Sequence, residues 1–556
     1  MGHPGKLGSN MRDSITTDRQ HYNMSALWLA CLVAAMGGLL FGYDWVVIGG
    51  AKPFYEPFFG ISNSTELQGL AMSSALFGCL AGAMAAGALS DRMGRKRLLI
   101  IAGLLFTLSA VWTALAGGFT TFIMARILGG VGIGLASNLS PMYIAELSPA
   151  PIRGRFVSIN QLTIVIGILA AQITNMVIAQ PVPTANQIRL LLNESSAAKA
   201  MANDPEFDMA KATSDAARLA DQPALKTVLQ RFPGIQYIAP ITGDDRQAAD
   251  QRDAKTKQDD AIMVAYIAQT PNGQVGWRWM FGAETVPAAA FFLLMFFIPE
   301  SPRWLMKYGR DEQAMRVLAM VGGDDYARAE VADIKSTLSN TEVAQVHFSD
   351  LLSPKLLRII GLGVFLAVFQ QWCGINVIFN YAQEVFSAAG YGVSGILFNI
   401  VITGIVSLLF TFVAIYTVDS FGRRPLMLIG AGGLAVIYAV LGTGYYFKST
   451  GIYMLILVIS AIACYAMTLA PMVWVIISEL FPNRIRGAAM SVAVFSLWVG
   501  CLLLTYTFPW LNETLGAHGA FWLYGAICAA GFVVIYLRLP ETKGKSLETI
   551  ERELMG

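Results

Sequence analysis

Charge is what this chain has least of. Only 14% of its 556 residues are Asp, Glu, Lys or Arg, while 55% are hydrophobic, against a charged share of about 25% in soluble domains. That excludes an ordinary water-soluble globule and makes lipid the fitting solvent. The net charge of +2 offers nothing to a nucleic acid, because the basic residues stand in short clusters between apolar runs. Cysteine is sparse too. Cys31, Cys79, Cys373, Cys464, Cys501 and Cys528 all fall inside apolar stretches, so no spaced framework reads as disulfides or as zinc ligands. His3, His21, His347 and His518 are scattered over loops and ends, which leaves no expectation of a metal or a cofactor. No Gly-x-x-x-x-Gly-Lys-Ser/Thr run occurs, so ATP hydrolysis is not the energy source and no enzyme chemistry is indicated. Met1 to Met24 is polar, with no apolar core before a cleavage site, so the first apolar run is expected to remain as a helix.

What the chain has in abundance is long apolar runs. A hydrocarbon core about 30 Å thick takes about 20 such residues per helix. Runs of that length lie near 26–50, 67–89, 98–117, 120–147, 156–179 and 277–298, and again near 356–386, 395–417, 426–447, 452–480, 487–510 and 519–538. Glycines fall within them, where small residues let helices approach closely. Arg92 to Arg97, Arg153 and Arg155, Arg423 and Arg424, and Arg484 and Arg486 follow even-numbered runs, while the loops after odd-numbered runs are nearly free of Lys and Arg. Basic loops mark the cytoplasmic side. The expectation is a multi-pass protein of the inner or plasma membrane, with both termini cytoplasmic.

Internal repetition divides the twelve runs into halves. Asp91-Arg-Met-Gly-Arg95-Lys96 recurs as Asp419-Ser-Phe-Gly-Arg423-Arg424, and Glu146-Leu-Ser-Pro leading to Arg153-Gly154 recurs as Glu479-Leu-Phe-Pro leading to Arg486-Gly487. Pro299-Glu300 and Pro540-Glu541 close the two halves at a shorter spacing, which puts an insertion of about 90 residues in the first half. The expected order is a tail (1–24), helices one to five (25–180), an outer insertion (181–276), helix six (277–298), an inner helical linker (299–355), helices seven to twelve (356–538) and a tail (539–556). In the insertion, Ala197–Leu219 reads as helical, so a small folded cap and disorder of Asp244–Asp260 are equal expectations. In the linker, Asp311–Val321 and Asp324–Leu338 read as amphipathic helices.

Three constellations carry chemistry. Asp44 lies deep in the first run, and Arg126, in the fourth, is the one basic residue of the first six runs away from a membrane face. Intramembrane ionisable residues usually mark ion pathways. A carboxylate that keeps its charge beside Arg⁺ and takes a proton when that partner withdraws is what proton coupling requires, and a static ion pair is the simpler alternative. Gln161, and Gln370, Gln371 and Asn376 in the seventh run, place amides in the middle of the membrane. Hydroxyls both donate and accept, and amides carry both functions. Gly374 interrupts the seventh run, as at a bound ligand, although interhelical hydrogen bonding would also use amides. The third set lies at helix ends: Asp91 with Arg95, Glu146 with Arg153, Glu300 with Arg303, Asp419 with Arg423, and Glu479 with Arg486. These read either as a charge network that gates the inner side or as solvated topology signals.

These motifs, with Pro141-Met-Tyr-Ile-Ala-Glu146, Pro299-Glu-Ser-Pro-Arg303-Trp304, Gln370-Gln371 with Gly374-Ile-Asn376, and Pro540-Glu-Thr542, resemble the sugar porter family of the major facilitator superfamily, nearest to its bacterial proton-linked xylose-type symporters. The resemblance implies an all-α membrane protein of twelve helices in two six-helix halves that rock to give alternating access. It implies sugar contacts at Gln161, Gln370, Gln371, Asn376, Asn380 and Trp474, and proton binding at Asp44 with Arg126. Facilitative carriers of the family are neutral at the Asp44 position. Asn380-Tyr381 stands where paired tyrosines are usual, and Ser407, Leu469 and Leu497 also depart from the family pattern, so the pocket is reshaped and its sugar is open. The expected partners are a monosaccharide or polyol, a proton and the lipid bilayer, with the chain acting as a monomer. An uncoupled facilitator and a non-transporting sugar sensor are the alternatives.

Overall fold

The computed structural model describes residues 22–149, 152–192, 222–232, 246–341, 354–481 and 486–541. Their regular structure is helical, as a chain in lipid requires, because a helix satisfies its own backbone polar groups where water cannot. The first five spans are Met24–Phe59, Thr65–Met93, Arg95–Leu115, Phe119–Leu147 and Arg153–Ile178. The sixth is built from a π-helical turn at Asn272–Gly276 followed by Trp277–Gly282 and Thr285–Leu294. Pro354–Trp372, Ile375–Asn380 and Ala382–Ala388 together make the seventh, and Val393–Phe421 and Arg423–Tyr446 the eighth and ninth. Thr468 (φ −122°, ψ −83°) splits the tenth into Ile452–Met467 and Leu469–Leu480. A final helical run of 53 residues, Arg486–Arg538, would extend about 80 Å if straight, too long for one crossing. It breaks at Gly516 (φ 67°, ψ 172°) into the eleventh and twelfth spans.

The first span runs beyond the apolar segment that marks it in the sequence. Asn23 caps its start by accepting from the Ala26 amide at 3.2 Å, and Gly60, at φ 69°, ends it. Pro53 and Pro57 lie within the helix, so Lys52 and Glu56 are carried on a spanning helix rather than in a loop.

Close approach of backbones shapes the first half. A Cβ on Gly130 would collide with the Ala75 carbonyl, and one on Gly78 with that of Ile127, so the second and fourth spans touch main chain to main chain. The first span packs on the fifth, and the third on the fourth. In the second half, the ninth and seventh spans pack on the final helical run, and the eighth on the tenth. The second span meets that final run, the fifth meets the eighth and the first meets the seventh, and these pairs form the seam between halves.

The repeat is visible in the backbone. Gly94 (φ 91°, ψ 162°) and Gly422 (φ 93°, ψ 160°) share one conformation. After each, a helix begins whose first amides are held by a distant carboxylate: Glu300 accepts from Arg95 N and Lys96 N, both at 3.1 Å, and Glu541 accepts from Arg423 N at 3.0 Å and Arg424 N at 3.1 Å. A negative charge at a helix start is favourable because the free N–H groups there carry partial positive charge.

The linker holds Pro302–Lys307 and Asp311–Thr341, the latter broken at Gly323 (φ 81°), which separates the two helices expected from the sequence. In the insertion, Ala185–Leu192, Gln222–Arg231 and Arg246–Ile267 are helical, and Ile188, Ala224, Val228 and Ile262 are buried. Of Asp244–Asp260, the part from Arg246 onward belongs to the helix Arg246–Ile267. The C-terminal part of that helix packs its apolar residues on the neighbouring helices, and Arg189 forms an ion pair with Asp259. The expected helix at Ala197–Leu219 lies outside the described residues.

Candidate substrate and proton site

Asp44 and Arg126 meet. Asp44 is 3% exposed and Arg126 2%. The guanidinium pairs with the Asp44 carboxylate, donates also to the Asp44 carbonyl at 3.3 Å, and lies 5.4 Å from the Phe281 ring centroid. One carboxylate oxygen, Oδ2, has no partner; it faces Gly129, where a Cβ would come within 3.1 Å of it. Glu284 of the sixth span is also buried, at 3% exposure, with Oε1 unpartnered, and lies within electrostatic reach of both Asp44 and Arg126. The sequence places Glu284 inside an apolar run, and that is the signal by which it could have been singled out with Asp44. With both carboxylates ionised, one guanidinium would leave an excess negative charge in a low-dielectric site. Such a site is expensive unless a proton or a further cation compensates it.

The amides of the seventh span form a chain. Gln370 donates from Nε2 to the carbonyls of Leu469 (3.3 Å) and Ala470 (3.1 Å), which follow the break at Thr468. Gln371 donates to Gln370 Oε1 at 3.4 Å, and Asn376 donates to Gln371 Oε1 at 2.6 Å. Gly374, at φ 87°, turns the helix so that Asn376 folds back onto Gln371. The breaks in the seventh and tenth spans are therefore tied together by one side chain. Asn380 is buried with Oδ1 unpartnered, Gln161 is half-buried on the fifth span, and Trp474 is 37% exposed on the tenth. Tyr381 is engaged elsewhere, donating to the Thr505 carbonyl at 2.6 Å. Ser407, Leu469 and Leu497 are buried.

Two residues of this region escaped the sequence reading. Trp498 is 3% exposed, its indole N–H has no acceptor, and its ring lies 5.8 Å from Phe41 and 6.1 Å from Trp45, next to Asp44. Gln172 lies about three turns along the same helix face as Gln161, rests against Gly404 of the eighth span and has both amide atoms unpartnered. A lone Trp or Gln in an apolar run carries no signal of its partners.

At the basic face, Arg95 pairs with Asp91 (3.2 Å) and Glu146 (2.9 Å), Lys307 pairs with Asp91 (2.9 Å), and Ser301 donates to Glu146. Trp304 adds a hydrogen bond to the Asp91 carbonyl at 2.8 Å. Burial opposes ionisation of Asp91, but the hydrogen bond and charge of Lys307, with Arg95, hold its carboxyl below the ordinary carboxylate value. The pairings differ from those expected in two places. Glu146 is bound by Arg95 because the third span brings Arg95 against the fourth, while exposed Arg153 donates instead to the Ser148 carbonyl at 3.4 Å. Glu300 and Arg303 form no salt bridge, since the Glu300 carboxylate caps the third span and Arg303 is exposed with no ion pair among the described residues. The network joins the second, third and fourth spans to the linker within one half. The side chains of Asp419, Glu479 and Arg486 lie outside the described residues; Arg423 is held through its amide by Glu541.

Among the described residues, the halves meet at the level of Asp44 and beyond it, toward the face opposite the basic loops. Phe41 and Trp45 meet Trp498, Gly49 meets the carbonyls of Phe379 and Asn380, Gly69 meets the Tyr506 carbonyl, and Val182 N donates to Ser394 Oγ at 3.2 Å. A groove lined by Ala439, Thr443 and Tyr453 shares no residue with the amides.

A family model described as sugar (and other) transporter matches residues 30–198 and 261–554, so its gap falls inside the insertion. The D-xylose-proton symporter of Escherichia coli (strain K12) is 34% identical over 95% of this chain and 96% of that protein. The arabinose-proton symporter of Bacillus subtilis (strain 168) is 30% identical over 98% of each. Among solved structures, the xylose transporter XylE from E. coli in a partially occluded inward open conformation is similar with a TM-score of 0.70 at 33% identity, covering 94% of this chain and 100% of that one.

Proposed function

The chain belongs to the sugar (and other) transporter family and has the twelve-helix major facilitator fold; from that footing we propose that it carries a monosaccharide or a related polyol together with a proton, by alternating access. It is an integral, multi-pass membrane transporter and not an enzyme. The observation that carries the proton assignment is the buried Asp44–Arg126 pair with an unpartnered carboxylate oxygen, with a second buried acid, Glu284, within electrostatic reach. Asp44 binds the proton, and Arg126 is its charge partner when the proton is absent. Proton uptake frees Arg126 from Asp44 and leaves Glu284 as its counter-ion, so occupancy by a proton changes what holds the first, fourth and sixth spans together.

The sugar is received by Gln161 from one half and by Gln370, Gln371, Asn376 and Asn380 from the other, with Trp498, Trp45 and Trp474 offering ring faces to its apolar side. Each amide can donate to one hydroxyl and accept from another. Because the donors come from both halves, a bound sugar is satisfied best when the halves close on it, which links binding to rocking. The basic face is cytoplasmic, and the contacts between the halves on the opposite side support a site presented inward. The chain works as a monomer in the inner or plasma membrane. The network around Arg95 fixes the inner ends of the first half to the linker, so that the half moves as one body.

The relatives differ in sugar, xylose in one and arabinose in another, and Ser407, Leu469 and Leu497 reshape the second-half wall. The substrate is therefore found by screening. A sugar at 100 times its Kd stabilises the folded protein by about 2.7 kcal/mol, so melting curves over pentoses, hexoses and polyols pick out the ligand. Uptake of that ligand by proteoliposomes under an imposed pH gradient then tests the proposal: accumulation above the outside concentration supports it, and mere equilibration overturns it.

A further inference from the structure

A second buried charge cluster lies outward of Asp44, between the first and seventh spans. Lys52 is 2% exposed, pairs with Glu384 of the seventh span, and lies 3.3 Å from Glu56 on its own helix. Its ammonium is 5.5 Å from the Tyr381 ring centroid. Glu56 is 5% exposed, and Glu384 Oε2 is buried without a partner. The partners belong to different halves. Lys52 and Glu56 are carried by the first span, whereas the short helix bearing Glu384 is fastened to the second half by Tyr381, which donates to Thr505, and by Tyr445, which donates to the Val385 carbonyl at 2.7 Å. Behind the ion pair the backbones are in contact, since a Cβ on Gly49 would come within 2.7 Å of the Phe379 carbonyl.

An ammonium buried within a spanning helix needs a reason, and neither proton binding at Asp44 nor the amide chain supplies one. We propose that Lys52, Glu56 and Glu384 are the outer gate of the transport cycle, with both acids paired to Lys52 when the gate is shut, as here, and Glu56 alone its partner when the gate is open. The inference rests on the alternating-access reading. An ion pair suits a contact that must break in every cycle, because each charge regains hydration as it separates and that offsets much of the lost attraction. An apolar contact of equal area would oppose opening in full proportion to the area exposed. Glu56, one turn from Lys52, keeps the ammonium paired after Glu384 withdraws, so opening never strands a buried charge.

The two acids therefore act in opposite directions. Glu384→Gln weakens the shut state, and Glu56→Gln weakens the open one more than the shut one, because only in the open state is Glu56 the sole partner of Lys52. Hydrogen exchange of the full-length protein in lipid nanodiscs reads this directly. In Glu384→Gln, segments 45–59 and 375–388 should exchange about tenfold faster, with 98–115 unchanged; in Glu56→Gln the same two segments should exchange more slowly than in the parent. Acceleration in both variants, or in neither, overturns the gate. Should Glu384→Gln fail to fold, Lys52→Cys/Glu384→Cys takes its place: oxidation should abolish transport and reduction restore it, and undiminished transport by the cross-linked protein overturns the gate. A parent protein that accumulates no substrate would sink the symport reading, while the exchange comparison would still decide the gate.

Discussion

Replacing Asp44 by Asn keeps the shape of the side chain and removes its charge. If one proton enters with each sugar, a membrane potential of 100 mV supplies about 2.3 kcal/mol, and at about 1.4 kcal/mol per tenfold that sustains a gradient of about 50-fold. Asp44→Asn should lower the ratio to about one. Labelled sugar should still exchange across vesicles loaded with unlabelled sugar, because Gln161, Gln370, Gln371 and Asn376 are untouched. Stability is a separate matter. Removing one partner of a buried ion pair costs about 3–5 kcal/mol, but Glu284 stands within reach of Arg126 and offsets part of that, so the variant should fold with a lowered melting temperature. The assay is paired, with accumulation and counterflow measured on the same reconstituted protein. Accumulation near the parent level would refute proton binding at Asp44. Loss of counterflow in a folded variant would assign Asp44 to holding the site together rather than to coupling.

Gln370→Ala removes two hydrogen bonds to the carbonyls at the tenth-span break; half-saturation for sugar should rise about tenfold or more at an interaction worth about 1–3 kcal/mol, measured by uptake kinetics. Gly374→Ala puts a methyl group 2.8 Å from the Tyr524 ring at a φ of 87° and should cost about 1–3 kcal/mol, read as a lower melting temperature and weaker sugar binding together. Asp91 gives an acid signature. Its folded carboxyl ionises below the ordinary value, for which Lys307 and Arg95 outweigh burial, so its contribution to stability is present above about pH 4 and lost as pH falls through the lower folded value. Melting temperature followed from pH 5 downward should fall less steeply in Asp91→Asn than in the parent.

Most of the fold was legible because lipid imposes length and hydrophobicity on each span, and repeated motifs mark the halves. What was not legible depends on partners remote in sequence. The first apolar run ends near residue 50, yet the helix continues to Phe59 and carries Lys52, which pairs with Glu384 and Glu56; nothing near Lys52 announces Glu384. Asp44 and Arg126 stood out as lone charges in apolar runs, and the structure brings them together. Glu284 carries the same kind of signal in the sixth run but has no conspicuous partner in sequence. Glu300 reads as half of an acid–base pair with Arg303, yet its geometry is that of a helix cap. Motif spacing shows that a carboxylate is needed there, and only coordinates show that it serves backbone amides.

The most direct measurement is the pH of a lightly buffered suspension of cells or vesicles that hold the protein, recorded as the sugar identified by thermal shift is added. Coupled entry should make the outside medium more alkaline in proportion to the sugar taken up, and Asp44→Asn should abolish the change. Sugar uptake of parent size with no movement of pH would contradict proton symport.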